Sequence, residues 1–131
     1  MTPKEGISAG VRTGEIALER TDAGLSVLTV TGEHDLSTAP DLRRQIDTLI
    51  AEETPVVIDL SPASFVDSSI LGVILDGKRR AADAGLGFAV LHANGTSSVG
   101  RVLEVTGLRN ELPVHREREE ATSAAGSPGG L

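Results

Sequence analysis

Two short polar segments carry the residue types that could do chemistry. The first contains Glu33, His34, Asp35, Ser37 and Thr38, and the second contains Asp67, Ser68 and Ser69. A serine hydroxyl can act as a nucleophile or accept a phosphate, and a nearby carboxylate can orient it or attract a cation. The same residue types also cap helices without any further function, because their oxygens accept from free backbone N–H groups.

Composition excludes several other kinds of site. The 131 residues include no Cys and only three His, which excludes disulfides and thiolate metal sites and leaves too few ligands for a metal cage. Lys and Arg number 12 against 19 Asp and Glu, and this acidic balance is opposite to that of a nucleic-acid binder. We therefore expect no metal, no cofactor and no nucleic-acid partner.

The same sequence indicates where the protein acts. No segment approaches the roughly 20 apolar residues of a membrane span. The first residues lack the cationic and apolar regions of a signal peptide. We expect a cytoplasmic protein with no membrane partner.

The hydrophobic pattern predicts five strands. The first two form a hairpin in which Ile16 and Leu18 face inward, and the third and fourth are continuous apolar runs, typical of strands covered on both faces. The last contains a proline and is expected at the sheet edge. The predicted strands are 15–20, 25–31, 55–60, 86–91 and 112–115.

Helical spacing predicts three helices between these strands. The first is capped by Ser37 or Thr38 and buries Leu42, Ile46, Leu49 and Ile50. The second covers residues 68–84 and buries Leu71, Ile74, Leu75 and Ala82. The third begins at Ser97 or Ser98 and ends near Gly107. The order β-β-α-β-α-β-α-β predicts an α/β fold, with helices packed on a sheet of about five mixed strands.

Both ends of the chain differ from this pattern. Residues 1–14 are small and polar, and residues 116–131 contain charged residues followed by Ser, Ala, Gly and Pro. Such segments bury too little apolar surface to offset their ordering entropy. We expect a flexible N-terminal lead over 1–14, a folded domain over 15–115 and a disordered tail over 116–131, with at most a frayed helical turn before residue 126.

The two polar segments together resemble the STAS domain of bacterial anti-sigma factor antagonists. That family shows Gly-Glu-apolar-Asp at the first place and Asp-Ser-Ser/Thr-Gly-apolar-Gly at the second, and this chain has GEHD at 32–35 and DSSILG at 67–72. An Asp-Leu-Ser step at 59–61 also matches. The resemblance covers about residues 14–115 and implies a single STAS-like domain.

This resemblance implies a phosphorylation switch and no enzymatic activity. The serine directly after the Asp, here Ser68, is phosphorylated by an anti-sigma factor serine kinase of the histidine-kinase-like ATPase type. The unphosphorylated form binds the kinase, which frees the sigma factor. The phosphorylated form dissociates from the kinase, and a phosphoserine phosphatase then removes the phosphate. The partner-binding residues that we expect are Asp35, Ser37, Thr38, Asp67, Ser69 and Ile70.

Two positions depart from the family pattern. Ile70 replaces a glycine, which adds a β-branched side chain directly after the serines and is expected to alter partner choice or slow phosphorylation. His34 replaces an apolar residue and is expected to be a partly buried or edge imidazole with a local hydrogen bond.

Three alternatives remain open at the level of sequence. The chain could be a non-switching STAS scaffold or adaptor, for which Ile70 is the best support. It could be a hydrolase with Ser68 as nucleophile, His34 as base and Asp35 or Asp67 as orienting acid, although the G-x-S-x-G elbow is missing. It could bind a nucleotide itself, although it has no glycine-rich phosphate loop.

Overall fold

The computed structural model describes residues 14–93, 98–105 and 114–126. Six strands and four helices lie within these ranges. The strands are β1 (Glu15–Arg20), β2 (Ser26–His34), β3 (Val56–Asp59), β4 (Ala63–Val66), β5 (Phe88–Leu91) and β6 (Val114–His115). The helices are α1 (Ala39–Ala51), α2 (Ser68–Asp83), α3 (Ser98–Val105) and α4 (Arg118–Ala125).

One mixed sheet organises these elements. Its order is β1-β2-β3-β5-β6, and β4 also pairs with β2. Strand β1 is antiparallel to β2, as the predicted hairpin requires, and the other pairs are parallel. The predicted α/β fold with helices on a mixed sheet is confirmed.

Both faces of the sheet are covered. On one face, the apolar sides of α1, α2 and α3 pack on β2, β3 and β5 and form the larger core. On the other face, Ala121 and Ala125 of α4 pack against a smaller cluster that includes Val27, Val57 and Ala89. Adjacent residues of β3 therefore contribute to opposite cores, as the continuous apolar run predicts.

Strand β2 changes its pairing partner along its length. Its first residues pair with β3, and its last residues, Gly32 to His34, pair with β4. The register shifts between Gly32 and Glu33, where Gly32 has a φ of 87°, a backbone conformation that favours glycine. The glycine of the first motif thus allows the bend that brings the end of β2 beside β4.

Several expectations differ from the structure. Strand β4 was not predicted, so the sheet has six strands rather than about five. Leu18 was expected to face inward but is 43% exposed, at a cleft that residues of α1 also line. Ala82 is exposed on the outer side of α2. Part of the expected disordered tail is the packed helix α4.

Other expectations fall wholly or partly outside the described residues. These are the lead before Gly14, a helix start at Ser97, a helix end near Gly107, residues 112–113 of the last strand and the tail after Gly126.

Candidate phosphoacceptor site

The ends of β2 and β4 place the two polar segments side by side. His34 and Val66 are register partners, and the next residues are Asp35 and Asp67. Because the two strands are parallel, both turns leave the sheet at the same edge, where ligands of α/β proteins gather. The structure therefore brings together the two motifs that lie 32 positions apart in the sequence.

Asp67 caps helix α2. Its Oδ1 accepts from the backbone N–H groups of Ser69 (3.0 Å) and Ile70 (3.2 Å), and the Ser69 hydroxyl donates to the same oxygen at 2.5 Å. Ser68 is the first residue of the helix, its side chain is exposed, and its hydroxyl forms no hydrogen bond with a described residue. The cap fixes the start of the helix and leaves the Ser68 hydroxyl accessible.

The Asp35 turn is built in the same way. Asp35 Oδ1 accepts from the Ser37 backbone N–H at 2.9 Å and from the Ser37 hydroxyl at 2.6 Å. These two bonds hold the pKa of the exposed Asp35 carboxyl below its usual value of 3.8, and the bond from the Ser37 hydroxyl has the larger effect. Asp35 therefore presents a stable negative charge at neutral pH.

Thr38 and His34 form the hydrogen bonds that support the Asp35 turn. Thr38 stands at the N-cap position of α1, but its hydroxyl makes no cap bond and instead accepts from the Asp35 backbone N–H at 3.1 Å. The imidazole of His34 is 1% exposed, with Nε2 3.0 Å from the Thr31 carbonyl oxygen and Nδ1 3.1 Å from Thr38 Oγ1. Because a carbonyl only accepts, Nε2 carries the hydrogen. Both ring nitrogens are thus engaged away from Ser68, which argues against His34 as its base.

Ile70 is not at this surface. Its side chain is fully buried in the larger core, which it shares with Val66 and Ile74. The expectation that Ile70 contacts a partner is therefore wrong. The reason is geometric, since the third position of α2 points under the helix towards the sheet, whereas the first position, Ser68, points to solvent.

The structure adds two residues that the sequence did not single out. Leu36 is 73% exposed in the Asp35 turn, and Phe65 is 46% exposed on β4, where it pairs in register with Glu33. Large apolar side chains that remain exposed beside a polar site are typical of contact surfaces. The hydrophobic pattern did not reveal either exposure, since Phe65 lies on a strand that was not predicted and Leu36 lies in a turn.

The acidic side chains at this edge differ from the other described carboxylates in their ion pairing. Elsewhere Asp41, Asp47 and Glu52 form ion pairs with arginines. Among the described residues, Glu33, Asp35 and Asp67 form none. The edge therefore carries uncompensated negative charge, which favours a basic partner surface. We call the surface formed by Glu33, Asp35, Leu36, Phe65, Asp67 and Ser68 the switch surface.

Comparisons with known proteins assign the family. A family model described as the STAS domain matches residues 16–121, and because this covers most of the chain, the chain belongs to the STAS domain family. The comparison with curated protein sequences finds no match.

Solved structures of anti-sigma factor antagonists share the fold. One from Mycobacterium paratuberculosis has 29% identity and a TM-score of 0.77, over 88% of this chain and 96% of that chain. SpoIIAA of Bacillus in its phosphorylated form has 23% identity and a TM-score of 0.64, over 83% and 97%. A STAS domain protein from Planctomyces limnophilus has 20% identity and a TM-score of 0.65, over 86% and 98%.

The described residues include neither a helix suited to a membrane nor a cluster suited to a metal. None of the described helices has the length and apolar character to cross a membrane. No group of three or more His, Cys, Asp or Glu within the described ranges is arranged to hold a metal ion.

Proposed function

We propose that this protein is an anti-sigma factor antagonist that binds an anti-sigma factor serine kinase through the switch surface and releases it when Ser68 is phosphorylated. The observation that carries the proposal is the exposed Ser68 hydroxyl at the start of α2, beside two turns in which an aspartate accepts from a serine hydroxyl. The kinase is of the histidine-kinase-like ATPase type, its capture frees a sigma factor, and a phosphoserine phosphatase restores the binding form. Since the kinase uses ATP, the protein acts in the cytoplasm.

The fold tolerates the modification. A phosphate on Ser68 lies at the N-terminal end of α2, where the helix dipole and free N–H groups stabilise negative charge. SpoIIAA in its unphosphorylated and phosphorylated forms matches this chain with the same TM-score, 0.64. That likeness supports a switch in which the fold is kept.

The interface with the kinase does not tolerate a phosphate on Ser68. Phosphorylation adds a charge of about −1.5 to −2. At a closed interface this charge must be desolvated next to Asp67 and near Asp35 and Glu33, which form no ion pair with a described residue. A penalty of about 3 kcal/mol lowers the affinity roughly 100-fold.

Two of the alternatives depend on residues whose positions favour the switch instead. The non-switching scaffold rested on Ile70, and that residue is in the core and leaves the switch surface unchanged. The hydrolase required His34 as a base, and its two nitrogens face Thr31 and Thr38.

Substitution of Ser68 tests the proposal. Isothermal titration calorimetry with purified anti-sigma factor kinases of the source organism measures the affinity of each variant. We expect Ser68→Ala to bind the kinase within about twofold of the original chain, because no interaction of the hydroxyl is lost in the free protein. We expect Ser68→Asp to bind at least about tenfold more weakly, because it places a charge where the phosphate lies.

Ser123→Asp is the matched control, since Ser123 is an exposed serine on α4 and lies outside the switch surface. It should leave the affinity unchanged. Equal affinities for Ser68→Asp and Ser68→Ala would contradict a charge-based release.

A further inference from the structure

A cleft between the hairpin and helix α1 is separate from the switch surface. It has a volume of about 200 Å³, and its apolar walls are Leu18, Leu28 and Leu49. Leu28 and Leu49 belong to the core, whereas Leu18 is 43% exposed at the mouth. Leu28 precedes His34 by six residues in β2, so the cleft lies about 20 Å along the strand from the Asp35 turn.

The charged residues that line this cleft are arginines, although the chain as a whole is acidic. They are Arg20 at the end of β1 and Arg44 on α1, and no carboxylate belongs to the described lining. The chain as a whole has a net charge of −7. Two arginines beside the exposed side chain of Leu18 are therefore suited to an anion that also has an apolar part, provided that they keep donors beyond their ion pairs with Glu52 and Asp41.

Both guanidinium groups keep donors for a ligand. Arg20 Nη2 donates to Glu52 at 2.8 Å, and Arg44 Nη2 donates to Asp41. These ion pairs are solvent-exposed, so they contribute little to stability and compete weakly with a ligand. A guanidinium has five N–H donors, and each arginine uses one nitrogen, Nη2, in its bond to a described residue, so other donors of both groups can reach a ligand.

We propose that this cleft binds a small amphipathic carboxylate, a single aliphatic chain with one carboxylate headgroup. The chain covers the exposed Leu18 side chain, which removes apolar surface from water, and extends towards the buried Leu28 and Leu49. The carboxylate accepts charge-assisted hydrogen bonds from Arg20 and Arg44. The cleft is smaller than the roughly 300–1,000 Å³ of sites for drug-sized ligands, which restricts it to a ligand of short or medium chain length. This binding function is independent of the proposed phosphorylation switch.

Octanoate is the probe that tests the inference. Titration into ¹⁵N-labelled protein, followed by NMR chemical shifts, should give saturable changes at residues 18–20 and 44–49 with a Kd of roughly 0.1–1 mM. Octan-1-ol lacks the charge and acetate lacks the chain, so each should bind at least about tenfold more weakly.

Two arginine variants test whether the carboxylate of octanoate binds at the rim of the cleft. Arg44→Gln should weaken octanoate binding about tenfold, because a charge-assisted hydrogen bond is lost. Arg43→Gln is the matched control, since Arg43 neighbours it on α1 and pairs with Asp76 instead of lining the cleft. Thermal unfolding of both variants verifies that they fold.

Three results would overturn the inference. The first is an absence of saturable shifts with octanoate. The second is octan-1-ol binding as tightly as octanoate, which would exclude a role for the arginines. The third is an equal effect of Arg43→Gln and Arg44→Gln, which would indicate adsorption to the surface. None of these results bears on kinase binding, so the proposed function is tested separately.

Discussion

Asp35 and Asp67 occupy equivalent positions at the ends of two neighbouring parallel strands. Each directly follows one member of the register pair His34–Val66. Each accepts, through Oδ1, from both the backbone N–H and the hydroxyl of the serine two positions later. The two turns are therefore copies of one arrangement, and Leu36 and Ser68 are the middle residues of the two copies.

The cap of α2 should be measurable as stability. Asp67→Ala removes the acceptor for the N–H groups of Ser69 and Ile70, and we expect the free energy of unfolding to fall by about 1 kcal/mol. Urea unfolding at neutral pH measures the change. Asp67→Asn keeps an oxygen at the same place and should lose less. If Asn were as destabilising as Ala, the charge of Asp67 rather than its cap would be the stabilising feature.

The Asp35 turn predicts a pH dependence. Its carboxyl has a lowered pKa, mainly because the Ser37 hydroxyl donates to it, so Ser37→Ala should raise the Asp35 pKa towards 3.8. The native pKa is below the unfolded one, so the stabilisation is present above the unfolded pKa and is lost as pH falls through the native pKa. An NMR titration of the Asp35 side-chain carboxyl measures this pKa in the original protein and in the Ser37→Ala variant.

Asp76 serves as the internal control in that titration. Its pKa is also below the usual 3.8, but the first cause is the hydrogen bond from Arg43 on α1. Ser37→Ala should leave the Asp76 pKa unchanged. An equal rise at both residues would indicate a general loosening of the protein rather than the loss of one hydroxyl.

The exposed apolar residues of the switch surface should contribute to kinase affinity. Leu36→Ala and Phe65→Ala each remove a large side chain that the fold leaves exposed, at 73% and 46%. We expect each substitution to weaken kinase binding about tenfold, as for other central interface residues, with little change in stability. Calorimetry and urea unfolding measure the two quantities.

Two control variants distinguish side chains that contact the kinase from side chains that only pack within the protein. Leu18→Ala alters the third large apolar side chain that is exposed in the described part of the chain, far from Ser68, and should leave kinase affinity unchanged. Ile70→Val should lower the free energy of unfolding by about 1 kcal/mol and also leave affinity unchanged, because Ile70 is buried. If Ile70→Val lost kinase affinity without losing stability, Ile70 would have to contact the kinase directly.

Much of the fold follows from local patterns. Strand β1 has its predicted bounds, Glu15–Arg20, because a hairpin with polar and apolar alternation is specified by adjacent residues. Helix α2 begins at the predicted Ser68 because Asp67 supplies a strong cap. The two motif segments meet because each follows a strand of the parallel β2–β4 pair, a pairing between distant parts of the chain.

The missed elements depend on distant partners. Strand β4 buries Ala63 and Val66 and exposes the two residues between them, so it lacks the alternation of a regular strand. Helix α4 buries only Ala121 and Ala125, so its composition resembles that of a disordered segment. Its position depends on Gly87, where a Cβ atom would lie 1.7 Å from the Ala125 carbonyl oxygen. Such close contacts are not visible in the sequence near either residue.

Mapping of phosphate on the protein tests the central claim most directly. The protein is incubated with ATP and an anti-sigma factor kinase that is shown to bind it, and peptides are then sequenced by tandem mass spectrometry. We predict one phosphate, on Ser68, and none in the Ser68→Ala variant, because the Ser69 hydroxyl is held by Asp67 at 2.5 Å. A kinase that binds the protein but leaves Ser68 unmodified would contradict the proposed switch.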